Sequence, residues 1–223
     1  MGWLVFAAAF ALFLFTHSIP LRPPVKTRLV ARLGARGFTL AYSALSLAAL
    51  GWLIHAAGRA PYIELWGRAA WQNHAALAAM ALVCLILAIS FRRPNPFSFG
   101  GARNDIFACD NPGVIRWLRH PMLAALAIWS MAHLIPNGDL AHVMLFGTFA
   151  GFSFMGMWIV DRRKRREMGA TGWQCLWTDV QRGPLVPTPR SWARLLIRVG
   201  CGVALYMVLI ALHPAMFGVS PLP

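Results

Sequence analysis

The seven histidines are the side chains whose chemistry stands out in this sequence, because each lies inside or at the edge of a long apolar segment. They are His17, His55, His74, His120, His133, His142 and His213. Ionisable groups at membrane depth mark functional sites by default, although a single histidine there usually hydrogen-bonds a neighbour. A pair of neutral imidazoles at equal depth is what a haem iron accepts as axial ligands. Haem ligation therefore requires two histidines that neighbouring helices bring to one depth.

Six apolar segments approach the length of about 20 residues that a membrane-spanning helix needs. They comprise residues 2–20, 37–56, 69–91, 114–135, 140–160 and 194–213. The composition agrees, since 58% of the 223 residues are hydrophobic and 13% are charged, which is about half the charged fraction of a soluble domain. The first segment lacks the basic start and the small-residue cleavage site of a signal peptide, which favours a retained span. The predicted fold is all-α, a single integral membrane domain over residues 1–223 with about six transmembrane helices.

Lysine and arginine predict the orientation of these helices, because they accumulate in cytoplasmic loops. Basic residues crowd the loops after the first, third and fifth segments, whereas the alternate loops carry only Arg59 and Arg68. This asymmetry predicts a multi-pass protein of the bacterial inner (cytoplasmic) membrane with both termini periplasmic. The net charge of +14 is then a topology signal and an attraction to anionic lipid. The lipid bilayer is an expected partner, and nucleic acid is not, because nucleic-acid binders spread their cations over a polar surface.

Depth separates one pair of histidines from the others once the orientation is set. His17 lies near the cytoplasmic end of the first segment, and His120 lies one or two turns inside the cytoplasmic end of the fourth. The other five fall toward the outer ends of their segments, and His133 is too far along the same helix, at about 1.5 Å per residue, to share an ion with His120. His17 and His120 are therefore the candidate ligands of a haem iron. A second ligand set from His74, His133 and His213 stays an alternative.

Two arginines accompany His120. Arg116 precedes it by four residues, which predicts a place on the same face of a helix, and Arg119 adjoins it. Both could bind the propionates of a haem at the inner headgroup boundary, and snorkelling of arginines to the interface explains them equally well. Asn111-Pro112 is a typical helix start and predicts where this helix begins.

The loop over residues 161–191 is the longest in the chain. Its basic start and its tryptophans predict a short interfacial helix followed by an extended return, with Trp173 and Trp177 at headgroup level. The turn Pro136-Asn137-Gly138-Asp139 predicts that the fourth and fifth spans form an antiparallel hairpin.

Nearly the whole sequence resembles the NnrU family, bacterial membrane proteins associated with nitrite and nitric oxide reduction, and their relatives, the 15-cis-ζ-carotene isomerases. The resemblance rests on short motifs spread along the chain. They are His17-Ser18, Tyr42-Ser43, His74, Arg119-His120-Pro121, Trp129, Ala132-His133, Asn137-Gly138, Asp161-Arg162-Arg163 and Ala211-Leu212-His213-Pro214. The Arg119-His120-Pro121 triplet and the continuation past Asp161 are more similar to the isomerase branch.

This resemblance implies a haem b protein in which His17 and His120 match the iron-binding histidines. It implies an enzyme in which a redox change alters iron ligation, so that a cis double bond of a long apolar polyene isomerises without net oxidation. An electron donor would then be a further partner. The alternative in the same family is a non-enzymatic accessory protein of nitrite and nitric oxide reduction, that is, of denitrification.

A second resemblance is to the isoprenylcysteine methyltransferases and their sterol-reductase relatives, which carry Arg-His-Pro followed by Tyr. Here Arg119-His120-Pro121 is followed by Met122 and Leu123, and the later segment 167–187 contains no Tyr. This resemblance implies that His120 contacts S-adenosylmethionine and does not ligate iron.

Overall fold

The computed structural model describes residues 1–186 and 188–223, which form α-helices joined by short irregular segments. The described residues contain no β-strand, only an isolated bridge between Glu64 and Asp139. The helices are α1 (Gly2–Ser18), α2 (Pro23–Ala57), α3 (Ala70–Ser90), α4 (Pro121–Leu134), α5 (Leu140–Met168), α6 (Ala170–Arg182) and α7 (Trp192–Phe217). The predicted all-α fold is confirmed.

Four of these helices, α2, α3, α5 and α7, are long and apolar enough to cross a membrane. Helices α1 and α4 are also apolar but shorter, with 17 and 14 residues. Large apolar side chains such as Leu4, Leu47 and Leu196 are exposed along the helices. Exposed apolar surface of this extent is suited to lipid rather than water. The chain is therefore a multi-pass helical membrane protein.

Two of the helices begin well away from the predicted starts of their segments. Helix α2 begins at Pro23, well before residue 37, and is kinked at Gly34, whose φ of 70° lies in the left-handed region that favours glycine. Helix α4 begins at Pro121, where a proline costs no hydrogen bond because the first N–H groups of a helix have no partner. The preceding residues form a 3₁₀ turn over Gly113–Arg116, so the helix does not start at Asn111-Pro112.

The described chain divides into two compact units, while the single domain over residues 1–223 stays a prediction. The first unit comprises Met1–Gly67 and Gly138–Leu145. In it α1 packs on α2, and Phe6, Ala9, Phe13, Phe38, Ala49, Leu53, Ala56 and Ala57 are buried. A Cβ atom at Gly138 would lie 2.1 Å from the carbonyl oxygen of Trp66, so this close backbone approach requires glycine.

The second unit comprises Arg68–Asn137 and Phe146–Pro223. Helix α3 lies at its centre and packs against both α4 and α7. Helices α4 and α5 run antiparallel, since Leu123 contacts Gly156 while Trp129, further along α4, contacts Phe146 near the start of α5. The predicted hairpin of the fourth and fifth spans is confirmed.

The segment after the fifth span is more helical than predicted. Helix α5 continues through the basic cluster to Met168, and the amphipathic helix α6 follows after Gly169. The described residues between α6 and α7 form no helix, and Pro187 lies outside the described residues. The headgroup level of Trp173 and Trp177 stays a prediction, but the Trp173 ring packs inside the protein, since its side chain is only 2% exposed and its ring centroid lies 5.9 Å from that of Phe97.

Candidate functional site

His120 lies in a buried network of polar side chains in the second unit, and we call Ser98, Arg119, His120 and Asp161 the His120 network. His120 is 5% exposed. Its Nδ1 atom lies 3.0 Å from Ser98 Oγ, and its Nε2 atom lies 2.9 Å from Asp161 Oδ1. Arg119 donates from Nε to Asp161 Oδ1 at 2.9 Å and from Nη2 to Asp161 Oδ2. Each nitrogen of the His120 ring therefore has a partner.

Local structure explains how residues so distant in sequence meet. His120 is the N-cap residue of α4, and Asp161 lies on the neighbouring helix α5. The buried side chain of Asn95 donates from Nδ2 to the Arg119 carbonyl oxygen at 3.0 Å. Asn95 Oδ1 accepts a hydrogen bond from the backbone N–H of Phe97 at 3.0 Å. Asn95 thus holds the loop that carries Ser98 against the start of α4.

Tryptophan rings of α6 cover the charged side of the His120 network. The Arg119 guanidinium lies 4.7 Å from the ring centroid of Trp177 and 5.2 Å from that of Trp173. The Arg165 guanidinium lies 4.1 Å from the ring centroid of Trp173. These distances are typical of cation–π contacts. The rings therefore shield the Arg119–Asp161 ion pair from solvent, which strengthens its electrostatic attraction.

The surroundings favour a neutral His120. Burial lowers the pKa of His120, and the nearby Asp161 carboxylate opposes that shift while Arg119 adds to it. A carboxylate can only accept a hydrogen bond, so the single proton of the neutral ring lies on Nε2 and points to Asp161. Nδ1 is then the nitrogen with the lone pair, and it accepts the hydroxyl proton of Ser98. An imidazole oriented in this way can act as a proton acceptor or as a metal ligand.

His17 lies in the last turn of α1 in the first unit. Its Nδ1 atom is buried and forms no hydrogen bond of ordinary geometry with a described residue, and its nearest backbone partner is Phe13, one turn earlier in α1. Its ring centroid lies 4.3 Å from that of Phe13 and 6.3 Å from that of Tyr42. His17 and His120 belong to different units, so their pairing on one iron stays a prediction.

The two predicted propionate ligands have other contacts in the structure. Arg119 is bound to Asp161, as described above. Arg116 donates from Nη1 to Gln181 Oε1 at 2.6 Å, and its buried Nε has no hydrogen-bond partner among the described residues. The prediction that Arg116 and His120 share a face of one α-helix is wrong, because both precede α4.

Two of the three outer histidines of the alternative ligand set line the same cavity, and the third does not. His133 and His213 line one small cavity of about 140 Å³ in the second unit, whereas His74 is exposed and is not among the lining residues. The Nδ1 atom of His133 lies 2.8 Å from the Trp129 carbonyl oxygen, and that of His213 lies 2.8 Å from the Val219 carbonyl oxygen. Backbone carbonyls thus accept hydrogen bonds from both rings.

Sequence reasoning missed two members of the His120 network, Ser98 and Asp161. The sequence contained a signal that Asp161 belongs to the site. The chain holds only seven acidic residues, and Asp161 follows a predicted span at the same end as Arg119. A lone carboxylate at that depth needs a cation. Ser98 had no signal, because a serine in a loop rich in Pro and Gly is unremarkable by type or spacing.

The comparison with protein families confirms the resemblance to the NnrU family. The family described as NnrU protein matches residues 5–221, which include both units and nearly the whole chain. No curated protein and no solved structure matches the chain. This match includes His17 and every residue of the His120 network. Because it covers nearly the whole chain, the protein belongs to the NnrU family.

Proposed function

We propose that the protein binds haem b and that His17 and His120 ligate its iron. The observation that carries the proposal is the buried Nδ1 atom of His17, which forms no hydrogen bond of ordinary geometry with a described residue and has only the Phe13 backbone as a described polar neighbour. A buried polar atom without any partner costs about 1–3 kcal/mol, and a poor hydrogen bond recovers only part of that cost, so a bound ligand that contacts His17 would stabilise this atom further.

His120 supports the proposal through its second contact. Histidines that bind metals commonly donate their other N–H to a carboxylate, which fixes the ring and raises its basicity. Asp161 occupies that position at His120 Nε2. The partner of Nδ1 is the neutral hydroxyl of Ser98, so ligation through Nδ1 requires the replacement of this one hydrogen bond. Arg116, whose Nε lacks a described partner, is the better candidate for a propionate, since Arg119 is already bound to Asp161.

Haem, when bound, supplies an iron whose ligation changes with its oxidation state, and the resemblance connects that chemistry with cis–trans isomerisation of a polyene. The protein's own groups have simpler tasks. Asp161 holds the proton at His120 Nε2, Arg119 balances the charge of that carboxylate, and Trp173 and Trp177 keep water away. We propose on this basis that the protein is a redox-gated isomerase of a long apolar polyene, served by an electron donor.

Absorption spectra of the full chain, purified in detergent after expression with ample haem, test the cofactor. We expect a Soret band that is lost in His17→Ala and in His120→Ala. The matched controls are His55→Ala and His74→Ala, because both side chains are exposed in the structure, and their spectra should equal that of the wild type. A colourless wild type, or equal loss of the band in all four variants, would contradict haem ligation by this pair.

The accessory role in denitrification is the second candidate, and membership of the NnrU family favours it. Deletion of the gene separates the two functions. A denitrification defect with unchanged carotenoids would support the accessory role, whereas accumulated 15-cis ζ-carotene would support the isomerase. Binding of S-adenosylmethionine by a protein free of iron would instead support the methyltransferase resemblance.

We further propose that the protein resides in the inner membrane with both termini periplasmic. Three hydrogen bonds hold the basic loops of the second unit together at one end of its helices. They join Arg119 with Asp161, Asn111 with Thr188, and Arg198 with Phe91. This clustering is what the charge rule requires of a cytoplasmic face. Alkaline phosphatase fused to the C-terminus should be active, and a fluorescent C-terminal fusion in its place should be dark. The opposite pattern would contradict this orientation.

A further inference from the structure

Six arginines line one cavity of the second unit, and we call it the arginine cavity. Its volume is about 400 Å³. The six are Arg92, Arg93, Arg103, Arg190, Arg194 and Arg198. No described lining residue is acidic, and none of the six forms an ion pair with a described side chain. So many cations around one space produce a strongly positive potential that attracts anions.

The loop that supplies three of these arginines has a defined and strained backbone. Arg92 and Arg103 have φ values of 55° and 54°, in the left-handed region that residues other than glycine rarely adopt. The loop is closed by hydrogen bonds from Arg92 N to the Gly100 carbonyl oxygen at 3.1 Å and from Ala102 N to the Arg93 carbonyl oxygen at 3.2 Å. Strain of this kind occurs preferentially at ligand sites, where the surrounding structure enforces it.

Two arginines are held close together despite their like charge. Arg198 of α7 donates from Nη1 to the carbonyl oxygens of Ala88 and Phe91, at 2.8 and 3.1 Å, at the end of α3. Arg93 is half-buried beside it. Burial lowers the pKa of Arg93, and the positive charges of Arg198 and Arg190 lower it further. An anion between these side chains would relieve the repulsion.

We propose that the arginine cavity binds a phosphate group, and that this group is the headgroup phosphate of an anionic phospholipid. Arginine forms paired, charge-assisted hydrogen bonds with phosphate oxygens. The cavity also has apolar walls, since Ile89 of α3, Leu195 of α7 and the exposed ring of Trp117 line it. A lining that combines cationic and apolar side chains matches a phospholipid, whose acyl chains can continue along the exposed apolar surface of the helices.

Lipid titration of the full-length protein in detergent, followed by native mass spectrometry, tests this site. The probes are phosphatidylglycerol and the zwitterionic phosphatidylcholine. We expect a preference for phosphatidylglycerol that falls by roughly tenfold or more in the double variant Arg93→Gln with Arg194→Gln. The control is Arg163→Gln with Arg166→Gln, which loses the same charge at exposed positions of α5 and should stay within about twofold of the wild type.

Arg198 is left intact in both variants because it also caps α3. If the cavity double variant does not fold, Arg93→Lys replaces it. This change keeps the charge but removes the planar fork, so it should still weaken phosphatidylglycerol binding measurably.

Inorganic phosphate is the third probe and distinguishes the two sources of the group. Displacement of phosphatidylglycerol by an equal concentration of phosphate would overturn the lipid as the ligand and assign the cavity to the free anion, whereas retention of the lipid supports the proposal. Equal binding by the wild type and the cavity variant, or equal losses in the cavity and control variants, also overturns it. None of these readouts uses haem, so their outcome is independent of the proposed cofactor.

Discussion

The Arg119–Asp161 ion pair is the contact on which the candidate site depends most. Asp161→Asn removes the charge that binds two nitrogens of Arg119 and one of His120. Breaking a buried ion pair from one side costs about 3–5 kcal/mol. The side chains of Arg119 and Asp161 are still 26% and 16% exposed, so hydration of the remaining charge offsets part of this cost. We therefore expect the free energy of unfolding to fall by about 2–3 kcal/mol. In a chain of this size that corresponds to a fall in Tm of roughly 4–12 °C.

Thermal unfolding of the detergent-solubilised protein, followed by tryptophan fluorescence, measures this fall. Glu167→Gln is the control, because it breaks an exposed ion pair on the same helix and should cost less than about 1 kcal/mol. The double variant Arg119→Gln with Asp161→Asn should lose less stability than the sum of the single variants, by at least about 1 kcal/mol. Additive losses, or a Tm of Asp161→Asn equal to that of the control, would refute the view that this pair organises the site.

Three further predictions follow from the packing, all measurable by thermal unfolding in detergent or by absorption spectra. Gly138→Ala places a Cβ atom 2.1 Å from a backbone carbonyl oxygen and should destabilise the protein by more than about 1 kcal/mol, whereas Gly147→Ala meets open space and should not. Trp173→Ala empties a buried position and should cost about 3–5 kcal/mol. If the proposed haem iron binds His120 through Nδ1, Ser98→Ala should leave the haem spectrum intact, because it removes only a hydroxyl that the iron would replace; loss of the spectrum would contradict ligation through that atom.

The positions of the helices were predictable from the sequence because the signal is local. About 20 apolar residues in a row require a helix wherever the chain meets lipid, and each of the six predicted segments overlaps an apolar helix of the structure. The error at the fourth segment is instructive. The prediction extended the fourth segment back to residue 114, but the interior of a helix excludes Pro121, so the helix begins at that proline.

The site was less predictable, because its contacts join residues far apart in the sequence. His120 meets Ser98 across 22 residues and Asp161 across 41. The histidine itself was visible from its type and depth, but its partners depend on how α4 and α5 pack. Trp173 shows the same limit: an amphipathic helix with tryptophan predicts an interface, and only the fold reveals that Phe97 buries the ring.

The structure separates the arginines of the chain into groups with different contacts, which composition alone cannot distinguish. The charge of Arg119 is neutralised by Asp161 within the His120 network. Arg198 satisfies backbone carbonyls at the end of α3. The remaining arginines of the cavity have no described acidic partner, although one is half-buried and two occupy strained backbone positions. The charge rule predicts that these arginines lie on the cytoplasmic side of a membrane, but exposed side chains on any loop would satisfy that rule. Six cations line one cavity, an arrangement that orientation alone does not require, and the proposed anionic ligand would account for it.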